Sequence, residues 1–200
     1  MTTARLPAAE RRQAVLGTAC RIFSDGSYRG TTTAEIARES GVSEPILYRH
    51  FASKRELYLA CLASTWDDIR GKWEDAVAAE PDPAHWLGAI VRVAMATQTR
   101  GLLPDLWVQA LTEATDDAEI SGFLAGQIRE VHDYIADLIR SSQAAGGIVA
   151  DRDADAEAWI HIAVGLLNTV GRRVGGLLEP DDLNAIRASR IEWMLGSKDA

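Results

Sequence analysis

The sequence predicts an all-α protein of about nine helices. Apolar residues recur at three- and four-residue spacing through most of the chain, and no segment alternates as a half-buried strand does. Gly, Pro and capping residues punctuate that pattern where helices must start and stop. At 200 residues, 47% hydrophobic and 25% charged, the chain can bury a core without disulfide or metal staples.

Leu16, Ala19, Cys20 and Phe23 share one face of a helix over about 10–24, and Gly26 and Gly30 bracket the break after it. Thr32-Thr33-Ala34-Glu35 reads as a capping box opening a short helix that Gly41 ends. A second short helix, about Ser43 to Phe51, tolerates Pro45 in its first turn. Ser53-Lys54-Arg55-Glu56 is another capping box, and the helix it opens carries Leu59, Leu62, Trp66, Ile69 and Trp73 as a stripe up to Pro81 and Pro83. The next helix, from about Ala84, carries Trp86, Ile90, Val93 and Thr97. Gly101 and Pro104 separate it from a shorter one over 105–115. A long helix with Leu124, Ile128, Val131, Ile135 and Leu138 follows and stops at Gly146-Gly147. Acidic Asp151 to Asp155 suits a helix N-terminus, and the stripe Ile160, Val164, Leu167, Gly171, Val174, Leu178 predicts a helix over 153–178. Pro180-Asp181-Asp182 starts a final helix to about Leu195.

The net charge of -8 is unevenly placed. Residues 1–60 hold nine Lys or Arg against six Asp or Glu, while the other 140 residues hold twelve against 23. All six tryptophans (66, 73, 86, 107, 159 and 193) lie beyond residue 60. We expect two regions, 1–55 and 56–200. No apolar run approaches the roughly 18 residues of a membrane span, and the N-terminus has no apolar signal core. The expectation is a soluble, cytoplasmic protein. Two cysteines, Cys20 and Cys61, make neither a disulfide framework nor a four-thiolate zinc site, and each falls on or beside an apolar stripe.

The positive region holds the most specific pattern. Counting Thr33 as the first position, Ile36 and Ala37 fall fourth and fifth, Gly41 ninth, Val42 tenth and Leu47 fifteenth. That is a helix-turn-helix: a small residue for close helix crossing, glycine for a positive φ in the turn, and two apolar residues between the helices. An ordinary helical corner shares the glycine but not the whole set.

From Thr31 to Leu57 the chain resembles the DNA-binding signature of TetR-family transcriptional regulators, most specifically in Leu47-Tyr48-Arg49-His50-Phe51-Ala52-Ser53-Lys54-Arg55-Glu56-Leu57. The resemblance implies that Thr33, Tyr48 and His50 reach phosphates and that Lys54 contacts the DNA backbone at the start of the fourth helix. Physical chemistry supports Lys54 independently. A lysine in the first turn opposes the helix dipole by up to about 1 kcal/mol, and a bound phosphate reverses that balance. At about 100° per residue, Pro45 and Arg49 lie farthest from the core, flanked by Ile46 and Tyr48. Arg49 suits guanine, and Ile46 a thymine methyl. Glu44 suits a cytosine amino group, or else serves as a favourable acid at a helix N-terminus. Ala34 departs from the basic residue some relatives carry there. The arm Thr2–Ala9, with only Arg5, is expected to be disordered.

Beyond residue 55 the resemblance implies a helical ligand-sensing and dimerisation domain whose last two helices pair with those of a second copy. Gly165, Gly171, Gly175 and Gly176 would permit close approach there or bend the helix beside a cavity. Trp86, Trp107 and Phe123, with Tyr134, are candidate apolar walls for a ligand. Gln98, Gln109, His132, His161 and Asn168 are candidate polar contacts. The implied protein is a homodimeric repressor released from a near-palindromic double-stranded DNA operator by a small hydrophobic effector. No cofactor, membrane or catalytic residue is expected. The chain lacks Glu-x-x-His, His-Glu-x-x-His, Gly-x-Ser-x-Gly, a Walker loop and Gly-x-Gly-x-x-Gly. Glu157 and His161, spaced i and i+4, read as a surface pair or a satisfied histidine rather than metal ligands. The rival reading is a helical small-molecule-binding or enzymatic bundle whose N-terminal helices do not bind DNA.

Overall fold

The computed structural model describes residues 7–96 and 105–196. Among them are nine α-helices: α1 Ala8–Asp25, α2 Thr33–Glu39, α3 Glu44–Tyr48, α4 Lys54–Ala78, α5 Trp86–Ala96, α6 Asp105–Glu113, α7 Ala118–Ala144, α8 Ala154–Arg173 and α9 Pro180–Leu195. A single 3-10 turn, Pro83–His85, precedes α5. The described residues contain no strand, as the spacing predicts. Thr97, Gln98, Arg100 and Gly101–Pro104, and the arm as far as Leu6, lie outside the described residues.

Several helix ends are made by the residues the sequence singles out. Thr32 Oγ1 accepts from the Glu35 backbone N–H at 3.2 Å, and Ser53 Oγ accepts from that of Glu56 at 3.0 Å. The Glu56 carboxylate reaches back one residue farther than a capping box requires, to the Ala52 N–H at 2.7 Å. Asp153 caps α8 through the backbone N–H groups of Asp155 and Ala156, and a reciprocal Glu179/Asp182 box opens α9.

The chain forms two compact units, residues 1–67 with 109–124, and residues 68–108 with 125–200. Helices α4, α6 and α7 each supply residues to both. In the first unit, Val15, Leu16, Ala19 and Phe23 of α1 are buried with Ile36, Ala37, Leu47, Phe51, Leu57, Tyr58 and Leu62. The Phe23 and Tyr58 rings meet edge to face, with centroids 5.0 Å apart. Cys61 is fully buried and Cys20 half-buried. The two thiols are hydrogen-bonded, and burial raises the Cys61 thiol far above its ordinary range. This thiol is therefore a poor nucleophile.

In the second unit the α7 stripe is buried at Val131, Ile135, Leu138 and Ile139. Its end is pinned where Ser142 Oγ donates to the Pro83 carbonyl at 2.9 Å. A Cβ on Gly147 would collide with the Ala84 backbone, so glycine is required there.

The predicted helix over 153–178 is corrected. α8 stops at Arg173, and Leu178 returns to pack against Gly171 with no room for a Cβ between them. Gly175 and Gly176, the latter at φ +76°, lie in the connection to α9 rather than in a helix face. Glycine at those positions withdraws the helix support that the apolar spacing suggests. The buried face of α8 also differs from the predicted stripe: Ala154, Glu157, Ala158, Gly165 and Thr169 point inward, while Trp159 and Ile160 are exposed.

Candidate nucleic-acid interface

The eight residues proposed from the sequence to meet DNA all fall in the first unit. α2 and α3 are joined by a tight turn in which the Ser40 N–H bonds to the Ile36 carbonyl and the Val42 N–H to that of Ala37. Gly41 sits at φ +66° with open space where a Cβ would project, so the turn needs its conformation and not its small size. Ala37 is buried where the helices cross, Leu47 is fully buried and Val42 half-buried. Position by position, this is the helix-turn-helix geometry that the spacing predicts.

The α3 helix is short, ending at Tyr48, with Arg49 as its helical C-cap. Because Leu47 and Phe51 face inward, Pro45, Tyr48 and Arg49 are exposed, and Ile46, Glu44 and His50 are half-buried. Three of the candidates are tied together. The Thr33 hydroxyl donates to Glu44 Oε1 at 2.6 Å. With that single proton committed, the Tyr48 hydroxyl at 3.1 Å is the donor to Thr33 Oγ1. Thr33 is buried, so its hydroxyl serves this link between α2 and α3. Glu44 thereby holds the N-terminal end of α3 against α2.

Lys54 is the first residue of α4, and its ammonium lies 4.6 Å from the Tyr28 ring centroid. Desolvation holds it below the ordinary lysine range, while Glu113 acts the other way. The Arg12 guanidinium lies 4.5 Å over the Phe51 ring.

Sequence reasoning missed an acidic clasp on this unit. Arg29 pairs with Glu113 at 3.0 Å and with Asp116, and Arg55 pairs with Asp117 at 2.8 Å and Glu119 at 2.9 Å. Including 109–124, the unit carries nine basic and eleven acidic residues, so the positive charge of 1–60 is offset within its own fold. The pairs span 62 to 87 residues of sequence, a separation that no local pattern reveals.

The candidate effector residues are divided between the units. Gln109 and Phe123 belong to the first, where Gln109 Nε2 donates to the Ser24 carbonyl at 3.0 Å. Trp86, Trp107, His132, His161 and Asn168 belong to the second. Trp86 Nε1 donates to the Glu80 carbonyl at 3.0 Å, and Trp107 is buried. His132 has both ring nitrogens engaged, by Asp133 Oδ1 at 2.9 Å and the Asp155 carbonyl at 3.1 Å, and its ring stacks on Trp159. His161 Nε2 is shielded from solvent without a hydrogen-bond partner. Burial lowers its pKa to about 4, so the imidazole is neutral near pH 7. The surface pairing of Glu157 with His161 is corrected: Glu157 is buried, and it bonds to Arg190 and, at 2.7 Å, to Trp193 Nε1. Those partners come from α9, which the spacing within α8 does not disclose. Among the described residues, no three His, Cys, Asp or Glu are grouped to hold a metal ion, and no helix is long and apolar enough to cross a membrane.

Fold and turn together define a helix-turn-helix protein. Residues 15–61 match the family model for bacterial regulatory proteins of the tetR family. The activator FasR of Mycolicibacterium smegmatis is 41% identical over 87 residues, covering 44% of this chain and 40% of that protein. The regulator BetI of Rhizobium meliloti is 30% identical over 115 residues, 57% of each chain. The matched stretch thus spans roughly half the length of these curated relatives. A transcriptional regulator from Saccharomonospora viridis, solved in complex with choline, superposes with a TM-score of 0.71 at 26% identity, covering 90% of this chain and 93% of that one. Residues 15–61 thus resemble the DNA-binding region of the tetR family, and the greater part of the chain shares its fold with the S. viridis regulator.

Proposed function

We propose that this chain is a dimeric, effector-controlled, sequence-specific DNA-binding regulator, with residues 1–55 as the DNA-reading part and 56–200 as the sensing and dimerisation part. The observation that carries it is the helix-turn-helix presenting Pro45, Tyr48 and Arg49 outward, with Lys54 at the start of the next helix. In a symmetric dimer two such helices enter successive major grooves about 34–36 Å apart and read a near-palindrome. Arg49 and Ile46 read bases; Tyr48, His50 and Lys54 hold the backbone; Glu44 and Thr33 set the angle of α3. The reading places the protein in the cytoplasm, with its operator.

Dimerisation is supported by the apolar side chains that α8, α9 and their connection leave in solvent. Trp159, Ile160, Val174, Leu177, Ile191, Trp193 and Leu195 are all exposed, an unusual concentration for a surface without a partner. A small-molecule effector is supported by the choline held in the S. viridis protein. It regulates by binding two conformations unequally, releasing a repressor from its operator. Helix α4 is the continuous element that begins in the reading part and ends among the sensing residues.

Selection from random DNA duplexes, with light scattering on the same sample, tests this directly. An enriched inverted repeat bound by a dimer is expected. A monomer that enriches no sequence would overturn it.

A further inference from the structure

Among the described residues of the second unit, two buried polar atoms find no hydrogen-bond partner, Gln127 Oε1 and His161 Nε2. Each sits in the middle of an inward-facing stripe. Gln127 follows Ile120 and Leu124 and precedes Val131 and Ile135 on α7; His161 lies between Ala158 and Gly165 on α8. An unpartnered polar group at such a position destabilises the fold, where an apolar side chain of similar shape would not.

Contacts between the two helices bring these residues to one level. His132 of α7 meets the Asp155 carbonyl and stacks on Trp159, while Arg140, farther along α7, pairs with Asp155 at 2.6 Å. Later residues of α7 therefore meet earlier residues of α8, and the pair is antiparallel. Moving back five residues from His132 reaches Gln127, about 7.5 Å along the axis. The same step forward along α8, from Asp155 and Trp159, reaches Ile160 and Val164. His161 falls between those two, level with Gln127.

Among the described residues the surroundings supply no buried free charge of either sign. Among the described residues no Lys or Arg is buried, and the one buried carboxylate of this unit, Glu157, is engaged by Arg190 and Trp193. His161 is itself neutral at physiological pH because burial disfavours its cation. An anion would find no buried counter-charge here, and neither would a cation. What the two atoms can satisfy is a hydrogen-bond donor on an uncharged molecule.

We propose that Gln127 and His161 form the polar anchor of the effector site, and that the effector is an uncharged, largely apolar molecule carrying a hydroxyl or amide donor. This rests on the effector-controlled reading above and adds the residues and the ligand class. A hydroxyl donates its one proton to Gln127 Oε1 and accepts from His161 when Nε2 carries the hydrogen, whereas an amide NH2 donates to both atoms when Nε2 does not.

The test uses the full-length protein with eight-carbon probes that differ only in their head group: octan-1-ol, octanamide, octanoate and octylammonium, with choline as a compact cation. Thermal unfolding and tryptophan fluorescence report binding, and operator affinity is measured on the same preparations. Octan-1-ol and octanamide should stabilise the protein, each charged probe requiring at least about tenfold higher concentration for the same effect. Gln127→Leu and His161→Leu should each raise the ligand-free melting temperature and weaken the alcohol by about tenfold. Gln127→Met, closer in shape, replaces the leucine variant if that one does not fold. Equal responses to charged and neutral heads, no response to any probe, or undiminished alcohol binding by the variants would overturn the proposal. Loss of operator binding by the unmodified protein would instead refute the regulator reading itself, which keeps the two failures apart.

Discussion

Replacing Lys54 with alanine separates backbone attraction from sequence reading. The side chain stands in the first turn of α4 with its ammonium 4.6 Å from the Tyr28 ring centroid, so it is held over the surface rather than swinging freely. Each neutralised phosphate contributes a salt slope of about -0.9, so between 50 and 200 mM salt one contact is worth about 3.5-fold in affinity. Two heads in a dimer make that about 12-fold. The unmodified protein should therefore lose about 12-fold more affinity than Lys54→Ala over this range, on the preferred duplex and on unrelated duplexes alike. Fluorescence anisotropy at four salt concentrations measures both slopes. The ring contact adds a second term, about 0.5–1 kcal/mol of local stability, which unfolding of the DNA-free variant reports separately. Arginine at this position should retain most of the slope. Parallel slopes for the unmodified protein and Lys54→Ala would refute the phosphate role. A slope that changed on one sequence only would refute the division between attraction and reading.

Further outcomes follow from particular residues. Gly17 lies inside α1 and Gly41 at φ +66°, both with open space for a Cβ. Gly17→Ala should stabilise by about 0.5–1 kcal/mol, and Gly41→Ala should destabilise by about 1 kcal/mol; chemical denaturation showing the same sign for both would contradict the conformational argument. Trp159→Glu combined with Ile191→Glu should give a folded monomer by light scattering that no longer binds the operator, and a persistent dimer would remove α8 and α9 from the interface. His161 has a folded pKa of about 4, below the ordinary histidine value, so the unfolded chain binds the extra proton between about pH 4 and 6.5. Stability should therefore fall as pH drops through that window, by at most on the order of 3 kcal/mol from this residue. His161→Leu should flatten that part of the melting-temperature profile, and an unchanged profile would show that the imidazole is hydrated.

The part of the site legible in sequence was the part built from near neighbours. Thr33 to Leu47 spans two short helices and a turn, and each position answers to a local demand: a small crossing residue at Ala37, a positive φ at Gly41, an inward Leu47. The outward positions of α3 follow from the same geometry, since fixing Leu47 and Phe51 inward leaves Pro45, Tyr48 and Arg49 outside. Helix starts were readable for the same reason, because caps at Thr32, Ser53 and Asp153 act within four residues of themselves.

Interactions of short sequence separation thus settled the helix order, the turn between α2 and α3 and the outward face of α3. The inward face of α8 was settled by long-range packing instead. Its apolar spacing favours Ile160 and Val164, yet Ala154, Glu157, Ala158, Gly165 and Thr169 are the buried ones, and Trp159 and Ile160 are left outside. Packing also holds Arg29 and Arg55 against acids of the α6–α7 corner, which turns a basic stretch of sequence into a nearly balanced unit. And it brought Gln127 level with His161. The physical reason is common to all three: periodicity records which residues share a helix face, but burial and charge pairing depend on which distant helix arrives against that face.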